Sequence, residues 1–277
     1  MPTKVAFDNN FLDAFLGADV GTREAIFLCI QLGHLEMYAS YEMLREVMGL
    51  AVTTRKGKII LFSRDILRLT QGKVLARLAD AQESELRGSF ELLMEEGACK
   101  QIVEFLQQAA GGRIPVAAAT IGQGAIDEKA KAKVETDAWY DTNVKRAAKL
   151  NKQKRKAATY EVIQRRHWEN TGRATLVKTC ENFGIKEPND IADRVVANPD
   201  KYPHTRFLMR VFAVMMHRYF IEGSRRDAND LYDLWQMSYL VDMDVFVTNE
   251  KKLPGWYADV FGKRVLRSEE FLSQAWC

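Results

Sequence analysis

Cysteine and proline are scarce in this chain, which has four of the first and six of the second among 277 residues. Cys29, Cys99, Cys180 and Cys277 are widely scattered and no pair has CxxC or zinc-finger spacing, so neither a disulfide scaffold nor a structural zinc site is expected. Long apolar runs are also missing. The richest late one, 211-VFAVMM-216, is bounded by Arg210 and His217, and the N-terminus carries Asp8 and Asp13 in place of a sustained apolar segment. This excludes a spanning helix or a secretory leader from the reading and makes a reducing cytoplasm the expected location. Charge of one sign is lacking overall, because 40 Lys and Arg face 37 Asp and Glu. A net charge of +3 is too small to argue for nucleic acid by itself.

What the chain does have is apolar bulk and an uneven distribution of charge. With 47% hydrophobic residues it can bury a substantial core. Positions 141–180 hold eleven Lys or Arg against Asp141, Glu161 and Glu169, and the rest of the chain is correspondingly acidic. A basic part of this kind steers a polyanion towards carboxylates that hold metal ions; a solvated helix would carry the same charges.

Short apolar runs alternate with helical patterns. Residues 4–8 read as a buried strand, and Phe11, Leu12 and Phe15 begin a helical face. Gly17 and Gly21 bracket a break, with Thr22 as cap of the next helix. Residues 35–39 suit a second strand, and Ser40 is placed to cap 41-YEMLREVMG-49, where Glu42 and Glu46 lie along one side. The segment 58-KIILFS-63 reads as a strand or hairpin arm, helices are expected over about 64–80 and 82–110, and 115-PVAAATIGQG-124 reads as a turn-bounded strand or loop. From Asp127 to about His167 the chain is helix-prone. Lys145, Arg146, Lys149, Lys152, Arg155, Lys156, Arg165 and Arg166 put positive charge on several faces there, either to lie over phosphates or to be solvated. Residues 205–223 read as a core helix, Asp230 to Tyr239 as another, and 244-DVFVT-248 as a short buried strand. The pattern predicts an α/β fold with a mainly parallel central sheet covered by helices. It is built from a discontinuous core of 1–60 and 200–277 with a largely helical insertion at 61–199.

The chemistry concentrates in carboxylates. Asp8 stands at the carboxyl end of the first strand, where an acid is held rigidly yet stays accessible in a sheet crevice, and Asn10 is able to fix the turn. Asp230 and Asp233 share a helix face at i, i+3 spacing, while Asp227 is better placed to start that helix. Two ionised carboxylates ~5 Å apart at an effective dielectric near ~20 repel by roughly 3 kcal/mol, so converging acids require solvent, protonation or a cation. Hard oxygen donors without a nearby Cys/His set favour Mg²⁺ or Mn²⁺. Arg225 and Arg226 precede Asp227, to bind phosphate or to pair with the acids.

At these residues a resemblance appears. The segments 5-VAFDNNFLD-13, 40-SYEMLREV-47 and 230-DLYDLWQMSYLVDMDVFVTNE-250 together resemble the PIN-like nucleases, over the first 50 and last 55 residues, with the middle unmatched. The resemblance implies a three-layer α/β domain and metal-dependent hydrolysis of RNA, or in some branches DNA. It makes Asp8 the first metal-centre acid, Asn10 its support, Glu46 (with Glu42 competing) the helix acid, and Asp230 the acid of the late helix, with Asp233 as companion. Asp244 and Glu250 compete for the last place, because 247-VTNE-250 puts Glu where many members have Asp. Homodimers and bound protein inhibitors are common in the family. The leading expectation is therefore a metal-dependent endoribonuclease; a nuclease-like binding protein without turnover and a helical interaction module are the alternatives.

Overall fold

The computed structural model describes residues 1–55, 57–89, 96–148, 157–166, 172–222, 237–250 and 264–277. Its centre is a five-stranded sheet made of β1 (Thr3–Phe7), β2 (Leu35–Ser40), β3 (Val74–Leu75), β4 (Val245–Val247) and β5 (Arg264–Leu266), ordered β3-β2-β1-β4-β5 with every pair parallel. Val5, Ala6 and Phe7 are buried in succession, as are all three residues of β4. Consecutive burial on a strand means that both faces are covered, which is the three-layer α/β arrangement.

Eight of the helices succeed one another as α1 (Asn9–Gly17), α2 (Val20–Gln31), α3 (Tyr41–Gly49), α4 (Gly57–Thr70), α5 (Leu78–Arg87), α6 (Glu96–Ala110), α7 (Val116–Ala148) and α8 (Tyr160–Arg166). They are followed by α9 (Arg173–Asn182), α10 (Pro188–Ala197), α11 (Pro203–Met216) and the short α12 (Ser268–Leu272). Local chemistry sets their starts. Asp8 caps α1 by accepting from Phe11 N–H at 3.0 Å, and Ser40 caps α3 by accepting from Met43 N–H at 3.1 Å. The cap of α2 is Asp19, not Thr22. Thr22 stands three residues inside and donates both its N–H and its hydroxyl to the Asp19 carboxylate.

Two stretches expected as strand or loop are helical. In α4 the buried Ile59, Phe62, Ile66 and Leu69 recur at helical spacing, and this longer period outweighs the apolar run at 58–63. In α7 the Gly122–Gly124 pair does not break the helix. A Cβ on Gly122 would sit 2.5 Å from the Met48 carbonyl oxygen and 2.8 Å from Gly49 Cα, so glycine is what lets α7 approach the end of α3. The two-residue β3 is too short for any periodicity and falls inside a span expected to be helical.

The chain divides into two compact units, one of residues 1–77, 92–130 and 242–277, the other of 78–91 and 131–241. The dividing points thus fall at 77 and 241 in place of 60 and 200, and α6 and the first part of α7 belong with the sheet. Around the sheet, Phe11 packs on Phe7 at 5.2 Å between ring centroids, on Phe15 at 5.6 Å and edge-on to Phe271 of α12 at 5.5 Å. Trp276 closes on Phe271, and Cys277 is joined to Cys29 of α2 by a disulfide. No disulfide was expected from the cysteine spacing: residues 248 apart in sequence meet because α12 returns to the sheet beside α1. In the second unit, Leu86, Leu176, Cys180, Ile191 and Val195 form the core. The buried Glu85 carboxylate accepts from the His204 and Thr205 N–H groups, both at 2.9 Å, at the start of α11.

The glycine contact has a measurable consequence. Overpacking costs about 1–3 kcal/mol, whereas replacing an exposed helical glycine by alanine gains up to about 1 kcal/mol. Gly122→Ala is expected to lower the urea midpoint and Gly124→Ala, which meets nothing within 4 Å, to raise it. Equal effects of the two substitutions would show that α7 does not pack closely on α3.

Candidate active site at the carboxyl ends of β1 and β4

From β1 the chain moves outward to β2 and β3 on one side of the sheet, while β4 and β5 lie on the other. The connections therefore part between β1 and β4, and in open parallel sheets the crevice at the carboxyl ends of such a pair is where ligands bind. Asp8 follows β1 at this point and Thr248 follows β4. The Asp8 N–H donates to the Val247 carbonyl at 3.2 Å, and the Thr248 hydroxyl donates to Asp8 Oδ2 at 2.6 Å, closing the floor of the crevice. Asn10 Nδ2 donates to the same oxygen at 3.3 Å.

Glu46 enters from α3. Asn9 Nδ2 donates to Glu46 Oε2, and Lys129 Nζ of α7 lies 3.2 Å from Glu46 Oε1. Because the carboxylate only accepts, the Asn9 amide nitrogen must face it, which turns Asn9 Oδ1 the other way. That oxygen is buried and has no partner among the described residues. Burial pushes the Asp8 carboxyl up to about 6, against the pull of the Thr248, Phe11 and Asn10 hydrogen bonds, and the Glu46 charge adds to the rise.

The expected residues are distributed unevenly. Asp8, Asn10 and Glu46 come together, and Glu46 rather than Glu42 is the α3 acid whose charge acts on Asp8; Glu42 lies in the first turn of that helix. Glu250 is at the same end of the sheet, its N–H donating to the Thr248 hydroxyl at 3.1 Å. Asp244 is not. It precedes β4, accepts from Lys4 N–H at 2.9 Å and donates its own N–H to the Lys4 carbonyl, at the amino ends of the strands. At about 3.3 Å per residue, the four steps to Thr248 put it roughly 13 Å from the crevice floor. Asp227, Asp230, Asp233, Arg225, Arg226, Lys149, Lys152, Arg155 and Lys156 lie outside the described residues, and Lys145, Arg146 and Arg166 fall in helices of which only the backbone is described. Arg165 is exposed on α8.

Three contributors were missed: Asn9, Thr248 and Lys129. The strand-end threonine had a sequence signal in the 247-VTNE-250 turn; Lys129 had none, since its contact joins residues 83 apart. The chain matches no family model, no curated protein and no solved structure.

Hard oxygen donors suit Mg²⁺ or Mn²⁺, and the Asp8 and Glu46 carboxylates are of that kind. Among the described residues no group of three or more His, Cys, Asp and Glu forms a metal cluster, so a complete centre needs ligands beyond them, such as Asp230 or water.

The Asp8 carboxyl sets a pH signature. A group whose folded value is raised from 3.8 to about 6 binds its proton more tightly when folded, so its penalty is absent below pH ~4 and fully present above pH ~6. At ~1.4 kcal/mol per pH unit the penalty reaches at most about 3 kcal/mol. Asparagine caps a helix as well as aspartate does. Without divalent metal, Asp8→Asn is therefore expected to be the more stable protein at pH 7–8 by about 1–3 kcal/mol in urea unfolding, with the gap closing below pH 4. A gap that does not change with pH would contradict the charge argument.

Proposed function

We propose that the chain is a metal-dependent nuclease of PIN-like type, preferring RNA over DNA, with Mg²⁺ or Mn²⁺ held by Asp8 and Glu46. The observation that carries the reading is that Asn9, the residue after Asp8, holds the Glu46 carboxylate of α3 by its amide, so acids of two elements stand near the point of a parallel sheet where its connections part. A bound divalent ion would polarise the phosphodiester and lower the pKa of a water molecule. The chain's own residues do the rest. Thr248 and Asn10 fix Asp8 Oδ2, the Phe11 N–H fixes Oδ1, and Asn9 aims Glu46. This placing of the acids weighs against a helical interaction module, whose carboxylates would only cap helices.

Lys129 supports a second reading, a nuclease-like RNA-binding protein that does not cut, because its ammonium already supplies a cation to Glu46. Location belongs to the same proposal. No described helix is long and apolar enough to cross a membrane. In a reducing cytoplasm Cys29 and Cys277 would be held as thiols unless their bond resists the glutathione pool.

Short single-stranded and duplex RNA and DNA, incubated with Mg²⁺ or Mn²⁺ and analysed for product length, test the proposal. Wild type is expected to cut single-stranded RNA, and Asp8→Asn and Glu46→Gln each to slow cutting at least about 100-fold, the scale seen when a group acting in the transition state is lost. Cleavage that persists in EDTA or in Asp8→Asn would sink the nuclease reading; RNA binding without cleavage would establish the second one.

A further inference from the structure

Away from the crevice, residues 274–277 lie beside α2 and are tied to it by the Cys29–Cys277 disulfide. On that helix Gly21, Ala25 and Leu28 recur at helical spacing, and all three are exposed. A cavity of about 410 Å³ separates the two, with Ala25, Ile26 and Leu28 on the α2 side and Gln274, Ala275 and Trp276 on the other. Packing across this gap is incomplete, and the covalent bond spans it. The α carbons of Cys29 and Cys277 are 5.6 Å apart, an ordinary separation for such a bond, so it closes without moving the backbone.

The hydrogen bonds of this segment turn back to α12. Gln274 N–H donates to the Phe271 carbonyl at 3.3 Å, Trp276 Nε1–H donates to the same oxygen at 2.9 Å, and the two rings meet at 4.8 Å between centroids. The Arg264 guanidinium lies over the indole at 5.8 Å. Ordering four residues costs conformational entropy on the scale that these contacts return, so the disulfide decides whether the segment stays in place. Helix α12 is held separately. Phe271 is fully buried against Phe11, and Ser268 N–H donates to Asn249 Oδ1 at 3.1 Å. The two sulfurs differ in access, because Cys277 is exposed and Cys29 is buried. Exposed disulfides are the labile ones, and a small thiol reaches this one through Cys277.

We propose that the Cys29–Cys277 disulfide is a redox-operated latch: closed, it straps residues 274–277 beside α2, and opened by glutathione it releases them and bares the Ala25 and Leu28 side of that helix. A glutathione thiolate attacks the Cys277 sulfur, forming a mixed disulfide and expelling the Cys29 thiolate, which takes up a proton. A second glutathione thiolate attacks the glutathione sulfur of the mixed disulfide and expels the Cys277 thiolate, which is protonated in turn. Two protein thiols and one glutathione disulfide result, two electrons having passed to the protein; glutathione disulfide drives the reverse. The latch stands apart from the nuclease reading, since none of its residues belongs to the crevice.

The test equilibrates the full chain in millimolar glutathione, from wholly oxidised to wholly reduced, traps thiols by alkylation and locates them by mass spectrometry. Cys29 and Cys277 are expected to pass together from bonded to free within that range. Hydrogen exchange read by NMR gives the conformational half. On reduction the Trp276 indole N–H and the Gln274 amide are expected to exchange about tenfold faster, while the Phe271 amide, bonded to the Arg267 carbonyl at 2.9 Å, stays within about twofold. Cys277→Ser, a change on an exposed residue, is expected to show the fast exchange even in glutathione disulfide, and Asp8→Asn to leave the whole transition as in wild type. Thiols that stay free in glutathione disulfide, or a bond that survives reduced glutathione, would overturn the proposal. So would Trp276 exchange that ignores reduction, or Phe271 exchange that rises as much as that of Trp276, since the bond would then staple the whole unit and latch nothing.

Discussion

The structure turns on one constraint, the burial of a carboxyl group at the point where the connections of a parallel sheet diverge. Asp8 is only 9% exposed, and its three hydrogen-bond donors come from its own turn and from the strand on the far side of the divide. The same carboxylate starts α1, and α1 carries Phe11 and Phe15 into the core, where Phe7, Phe27 and Phe271 meet them. One side chain therefore couples the first helix, the packing of the aromatic core and the end of β4. The cost is an acid that three hydrogen bonds do not fully compensate and that a second acid, Glu46, opposes further. A cation is the species that relieves both.

Charge compensation explains the neighbourhood as well. Lys129 reaches Glu46 because α7 is drawn close to α3, and that approach needs the absent side chain of Gly122. A lysine of α7 thus serves the acid crevice through backbone proximity, not through a local sequence motif. One lysine gives one charge to one carboxylate and leaves Asp8 raised. Under the proposed function, a divalent ion would be better matched to the two acids than an ammonium is.

What the sequence made legible was whatever its neighbours decide. The handover from Val5-Ala6-Phe7 to Asp8, the Ser40 cap and the 244–248 return are short segments in which burial and capping act within a few residues, and the parallel sheet followed from them. Helix α4 was hidden because its first six residues look strand-like until Ile66 and Leu69 complete the period. The first turns of α7, 116–124, were hidden because glycine was taken as a breaker, when a contact with Met48 explains it. Within the site, Asp8 and Asn10 stood out as polar residues at the end of an apolar run, whereas Glu46 was preferred to Glu42 only through the family resemblance. The Thr248 bond to Asp8 spans 240 residues and the Lys129 bond to Glu46 spans 83, so pattern alone gave no pairing. Asp244 was misplaced for a simple reason: an acid at either end of a three-residue strand looks alike in sequence, but only the carboxyl end faces the crevice.

The central claim, that Asp8 is a buried, undercompensated carboxylate, which the proposed function assigns to a divalent ion, is tested most directly by carbon NMR titration of its side chain, assigned by comparison with Asp8→Asn. Without divalent metal it should titrate at about 6, and millimolar Mg²⁺ should lower that value by more than one pH unit. Titration near the ordinary aspartate value of 3.8, or a midpoint that Mg²⁺ leaves unchanged, would contradict the account.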